Sequence, residues 1–196
     1  MGKEQGYIHV YTGNGKGKTT AAIGLAIRAL GAGKRVYFLQ FMKDQIYSEH
    51  KILSRISSKL KLDTVGKPFF IAKEGELPEE TLAAWQSKVV VFPPGEPPSE
   101  YVNLIQESMK KLQFAMRSGE YDLIVLDEIN VAMSFDLVAV EEVKKLLLTK
   151  DCSVEVVLTG RNAPDAIIEI ADLVTEMKEI RHYYQKGICA RKGIEN

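Results

Sequence analysis

The sequence predicts an α/β fold, doubly wound around a mainly parallel sheet, on three observations. Strand-like apolar runs alternate with helical patterns from end to end. Two of the runs, "LIVLDE" and "VEVVLTG", are almost continuously apolar before their last residues, as parallel strands covered on both faces are. Between the first run and the first helical pattern lies a glycine cluster, "YTGNGKGKTT", residues 11 to 20.

Taken in order, "YIHVY" at 7 to 11 is a strand. "TTAAIGLAIRAL" sets Ala22, Ile23, Ala26, Ile27 and Leu30 at helical spacing until Gly31 and Gly33 stop it. "RVYFLQFM" is a second strand. Helical patterns follow at about 47 to 59 and at 99 to 118, the latter opened by Ser99 after two prolines and closed by Gly119. "YDLIVLDE" is a strand, "VEEVKKLLL" a helix, "VEVVLTG" a strand, "PDAIIEIA" a helix with proline in its first turn, and "LVTEMKEI" a last strand. Residues 61 to 98 hold six of the seven prolines and are expected to form a long irregular excursion from one domain spanning 1 to 196.

Composition narrows the function classes. Twenty-six basic and 26 acidic residues give no net charge, so a nucleic-acid or membrane-surface partner is not expected and a small molecule is. There is no apolar run long enough to span a bilayer, no signal-peptide core at the start, and no CxxC spacing around Cys152 and Cys189, which fits a reduced cytoplasm. His9, His50 and His182 stand apart from any metal-ligand spacing.

Strand, glycine turn and helix form the context of a phosphate loop, which makes the expected fold a P-loop, RecA-like nucleoside triphosphate-binding one. Gly13, Gly15 and Gly17 let successive amides point inward, and the helix that starts near Lys18 adds free amides and its positive end. Lys18 sets a point charge among phosphates, worth on the order of 4 kcal/mol at about 4 Å before desolvation. Thr19 offers a hydroxyl to Mg²⁺. The loop is one residue short of GxxxxGK(S/T), with Thr12 where the first glycine would stand, so the nucleotide is expected to be held differently. The bland alternative is a glycine turn with solvated lysines.

"LIVLDEIN" brings Asp127 and Glu128 to a strand end, the usual source of a magnesium-holding carboxylate, though such a pair also serves as a helix N-cap or activates water in ATPases. "LTGRNAP" presents Arg161 at a strand's ligand edge, where it neutralises phosphate or pairs with a surface carboxylate. Arg28 lies about 15 Å along the helix from Lys18, so it meets a nucleotide stretched that way or else compensates the helix C-terminus.

Together "YTGNGKGKTTAAIGLAIRALGAGKRVYFLQFMK", "YDLIVLDEIN", "VVLTGRNAPDAIIEIADLVTEMKEIRH" and "KGICARKGIE" closely resemble the P-loop type of ATP:corrinoid adenosyltransferase of the cobalamin pathway, strongly over about 7 to 46 and 119 to 195. The resemblance implies transfer of the 5′-deoxyadenosyl group of ATP to the Co(I) of a reduced corrinoid with release of triphosphate. ATP would lie reversed relative to other P-loops, with C5′ open to attack. It implies that Gly13, Asn14, Gly15, Lys16, Gly17, Lys18, Thr19 and Thr20 bind phosphates. Thr19 and Glu128 would hold Mg²⁺ (or Mn²⁺) with Asp127 in support, Arg28 and Arg161 would contact the nucleotide, and Lys18 and Glu128 would be the catalytic pair. A flavoprotein would supply electrons, and a homodimer is in keeping with relatives.

Where relatives carry a glycine, phenylalanine and tryptophan cluster beside the corrinoid, this chain reads "VGKPFFIAKEG", with Phe69 and Phe70 retained and Ile71 in the tryptophan's place. Phe69 and Phe70 are the expected corrinoid contacts, ordinary loop packing being the alternative, and Trp85 is a candidate substitute. With six residues ahead of the first strand, the 61 to 98 segment is expected to act as the lid. The competing functions are a P-loop ATPase or kinase acting on the β–γ bond and a non-catalytic ATP-binding regulator.

Overall fold

The computed structural model describes residues 4–44, 47–84 and 88–195. Chain order runs β1 (Ile8–Thr12), α1 (Lys18–Gly31), β2 (Val36–Phe41), α2 (His50–Ile56), β3 (Leu60–Val65), β4 (Phe70–Lys73), α3 (Glu79–Ala84) and β5 (Val89–Phe92). It continues with α4 (Ser99–Ser118), β6 (Leu123–Asp127), α5 (Ile129–Ser134), α6 (Val140–Leu148), β7 (Glu155–Thr159), α7 (Asp165–Ile168) and β8 (Leu173–Glu176), and a 3-10 turn follows at Tyr183–Lys186.

Six strands form one sheet in the order β3-β2-β6-β7-β1-β8, and every neighbouring pair is parallel. Alternation with period two sends each central strand's side chains to both faces, and both are apolar. On one face Val36, Phe38, Leu123, Val125 and Val157 pack against Ala22, Ala26 and Ala29 of α1, whose small side chains let that helix lie close to the sheet. On the other, Tyr37, Leu39, Ile124, Leu126, Val156 and Leu158 meet α4, α5 and α6. The expected doubly wound architecture is thus the observed one.

The 99 to 118 helix has its expected bounds and ends on Gly119 at φ 63, a left-handed stop that suits glycine. Its cap is Pro98 rather than Ser99, which is already the first helical residue and makes no capping bond. The helix expected at 47 to 59 is shorter, and the last strand ends at Glu176, because Met177 turns to bond the phosphate loop.

The segment 61 to 98 is more regular than its prolines suggest. Residues 60 to 65 pair in parallel with β2 as an edge strand, half-exposed and therefore carrying Lys61 and Asp63 among its leucines. β4 and β5 form a separate two-stranded parallel sheet. Its inner side chains Ile71 and Phe92 are buried in the main core, Phe92 edge-on to Phe135, and Lys73 is ion-paired to Asp136 at 2.8 Å. Ile71 is therefore a core residue. Trp85 lies outside the described residues. Among the described residues no helix is long and apolar enough to cross a membrane.

Candidate active site at the carboxyl edge of the sheet

Because all six strands run the same way, their carboxyl ends share one edge, and the loops after β1, β2, β6 and β7 meet there. The loop after β1 needs its glycines for two distinct reasons. Gly13 and Gly17 hold φ of 90° and 118°, in the region side chains disfavour. A Cβ on Gly15 would sit 2.6 Å from the Met177 carbonyl oxygen, the acceptor of the Gly15 amide at 2.6 Å, so the loop is tightly laid on the chain leaving β8. Gly15→Ala is expected to destabilise the protein by about 2 kcal/mol, or roughly 4–8 °C in Tm. Gly24→Ala, mid-helix with nothing within 4 Å of the new methyl, should stabilise it by about 0.5–1 kcal/mol. Thermal melts of the two variants check both signs.

Lys18, the first residue of α1, is buried and donates to the carbonyls of Gly13 at 2.6 Å and Gly15 at 2.8 Å. Burial pushes its pKa below the ordinary lysine value, Glu128 opposes that shift, and Arg161 adds to it. The next residue, Thr19, donates its hydroxyl to Asp127 Oδ1 at 2.8 Å, which joins the phosphate loop to the end of β6.

The two carboxylates have different surroundings. Asp127 is fully buried, and each of its oxygens accepts twice: Oδ1 from Thr19 and from Thr159 at 2.6 Å, Oδ2 from Gln40 at 3.0 Å and Lys43 at 2.8 Å. Burial alone would raise its pKa. Lys43, by charge and hydrogen bond, and then Thr159 and Gln40 outweigh that and hold it below the usual carboxylate range. Glu128 sits at φ 63 on the turn into α5, donates its amide to Thr159 Oγ1 at 3.0 Å, and brings its carboxylate beside the Gly160 turn. Its pKa is raised, first by burial and then by the charge of Asp127, with Lys43, Lys18 and Arg161 pulling the other way.

Lys43, Gln40, Thr159 and Asn130 were not among the sequence candidates. Each is a polar residue at the carboxyl end of an apolar strand, or just past it, and that position was the available signal. Lys43 bridges Asp127 Oδ2 and, at 3.4 Å, Thr19 Oγ1. Asn130 is fully buried and donates to the Gly160 carbonyl at 3.3 Å, fixing the turn that carries Arg161, and its Oδ1 has no partner among the described residues. Arg161 itself is exposed, near enough for its charge to act on Lys18 and Glu128.

Other candidates are not brought into this cluster. Lys16 turns outward to the C-terminal turn, where its ammonium meets Glu195 Oε1 at 2.7 Å, the Ile194 carbonyl at 2.8 Å and Tyr183 Oη at 3.2 Å. Tyr183 donates a short hydrogen bond to Glu195, and Arg191 covers the Tyr183 ring. Asn14 and Thr20 are exposed, as is Arg28, whose charge acts on Tyr11. Phe69 packs inward, edge-on to Tyr101, while Phe70 is 48% exposed. The segment that carries both leaves the same edge, since a Cβ on Gly66 would lie 2.5 Å from the Lys43 backbone.

The donor set fits a hard divalent cation. Such an ion is held by one or two carboxylates and a hydroxyl, with phosphate and water completing the shell. Thr19 and Glu128 could supply that set, and a cation there would relieve the unfavourable ionisation of Glu128. Asp127, with both oxygens already used by internal donors, would support such an ion only from behind.

The sequence profile of the family described as ATP:corrinoid adenosyltransferase BtuR/CobO/CobP matches residues 4–196. The chain is similar to a corrinoid adenosyltransferase of a Sinorhizobium species, 32% identical over 195 residues that cover 98% of this chain and 81% of the relative. It is similar to that of Escherichia coli K12, 30% identical over 192 residues covering 98% and 86%. The Salmonella typhimurium LT2 corrinoid adenosyltransferase CobA is 30% identical over 194 residues, covering 98% and 87%.

Proposed function

This chain belongs to the ATP:corrinoid adenosyltransferase family, and from that premise we propose that it transfers the 5′-deoxyadenosyl group of ATP to the Co(I) of a reduced corrinoid. In this reaction a Co–C5′ bond forms as the C5′–O bond breaks. The electron pair of the broken bond leaves on triphosphate, and the cobalt passes from Co(I) to an alkylated Co(III). Co(I) carries no proton to remove, so the protein's tasks are to align the reactants and to neutralise charge arriving on the leaving group. The observation that carries this reading is the joining of the phosphate loop to the strand-end carboxylate through Thr19 and Asp127, with Lys18 and Lys43 beside it.

In the proposed complex the loop amides of Gly13 to Thr20 and the Lys18 ammonium exchange their internal partners for phosphate oxygens, and Arg161 closes over the outer side. Thr19 and Glu128 would hold Mg²⁺ or Mn²⁺, which would neutralise phosphate charge. The reversed seating of ATP keeps C5′ away from the loop. Arg28 reaches the nucleotide if it extends along α1, and Phe70, exposed beside the edge, is the better placed of the two phenylalanines to meet the corrinoid. Free, exposed Cys152 and Cys189 accord with a cytoplasmic setting, a flavoprotein reductant and a homodimer being proposed from the family alone.

Anaerobic incubation with ATP, Mg²⁺ and chemically reduced corrinoid tests the reading. The Co(I) spectrum is expected to decay into that of a light-sensitive alkyl cobalt, with triphosphate seen by phosphorus NMR. ADP and orthophosphate with unchanged Co(I) would replace this reading with an ordinary ATPase.

A further inference from the structure

Among the described residues, Lys43 is the cation whose ammonium touches both Thr19 and Asp127. Its Nζ lies 2.8 Å from Asp127 Oδ2 and 3.4 Å from Thr19 Oγ1, with Glu49 at 3.9 Å and the Tyr47 ring centroid 5.1 Å away. Its side chain is only 11% exposed. The Lys43 backbone lies close against Gly66, which fixes where the side chain starts.

A threonine hydroxyl has one proton and two lone pairs. Thr19 spends its proton on Asp127 and turns a lone pair to Lys43, so the ammonium lies where the hydroxyl's electron density would otherwise meet a metal ion. We propose that Lys43 is a tethered cation that competes with the divalent ion for the Thr19 and Asp127 end of the site, so that metal is admitted only together with a nucleotide's phosphates. The inference rests on the proposed metal position at Thr19 and Glu128.

The charge argument runs in one direction. Two adjacent carboxylates attract a divalent ion, and a fixed positive charge a few ångströms away cancels much of that attraction in a partly buried site. Phosphate oxygens restore it, because they add negative charge on the far side of the ion and supply ligands that the protein lacks. The free enzyme therefore does not hold a metal that would have to be displaced or rearranged when nucleotide enters.

Mn²⁺ binding followed by electron paramagnetic resonance, without nucleotide or corrinoid, tests the idea on wild type, Lys43→Gln, Lys43→Met and Lys43→Arg. Wild type and Lys43→Arg are expected to leave Mn²⁺ free at concentrations that saturate Lys43→Gln, which should bind at least about tenfold more tightly. Lys43→Gln keeps a donor for Asp127, and melting curves establish that each variant is folded. Lys43→Met, without that donor, should bind at least as tightly. A wild-type protein that takes up Mn²⁺ as well as Lys43→Gln overturns the inference, and so does a folded Lys43→Gln that binds no better than wild type. Should the variants not fold, the wild-type titration decides: Mn²⁺ left free without nucleotide but taken up once ATP is added supports the idea, and equal uptake without nucleotide sinks it. None of these arms uses a corrinoid, so failure of the transfer reaction would be seen separately.

Discussion

Lys18→Ala is expected to lower adenosyl transfer by roughly a thousandfold. The loss follows from removing one unit charge about 4 Å from the leaving triphosphate at an effective dielectric near 20, on the order of 4 kcal/mol. It should appear in the single-turnover decay of Co(I) at saturating ATP, because the charge acts where negative charge accumulates as the C5′–O bond breaks. Stability should change little, by less than about 4 °C in Tm. Burial already disfavours the charged lysine, so its loss removes a desolvation cost along with the two bonds to Gly13 and Gly15. A variant that is inactive only because it is unfolded would contradict this account.

Glu128→Gln separates function from stability in opposite directions. Transfer supported by Mg²⁺ should fall by about 10²–10³-fold, since the amide is a poorer ligand and carries no charge. The metal-free protein should at the same time melt higher at neutral pH. The folded-state pKa of Glu128 lies above its ordinary value of 4.5, so the folded protein binds more protons than the unfolded chain in the window just above 4.5. Stability therefore falls as pH rises through that window, and ionised Glu128 costs stability above it. Glutamine removes the cost, and the difference between variant and wild type should vanish below about pH 4.5. Calorimetric melts from pH 4 to 8 without metal check the sign. The same proton competes with the cation, so the Mg²⁺ requirement of the wild-type enzyme should rise as the medium becomes mildly acidic. A site that stores an unfavourable carboxylate for use by its ligand is the trade expected at functional positions.

The sequence by itself determined the architecture and which side chains gather at the candidate site. Continuous apolar runs in β6 and β7 can only be buried on both faces, which demands helices on both sides and parallel strands, and parallel strands put every carboxyl end at one edge. From that alone, Lys18, Thr19, Asp127, Glu128 and Arg161 had to share an edge. Local chemistry also set the ends of α1 and α4, where glycine is the residue that tolerates the left-handed stop.

Only the tertiary structure decided what each charge touches. Nothing local in the sequence says that Lys16 faces the C-terminal turn and Lys18 the loop, because that depends on Glu195 and Tyr183 returning from more than 160 residues away. Nor does local pattern distinguish Asp127, saturated by four donors from three different segments, from its neighbour Glu128, whose pKa burial and the Asp127 charge raise. The edge strand β3 was obscured by its own half-exposure, and Ile71 became core only because a second small sheet folds down onto α5. Backbone pattern is set by neighbours along the chain. Hydrogen-bond partners and buried charge are set by neighbours in space, and those exist only once the sheet has assembled.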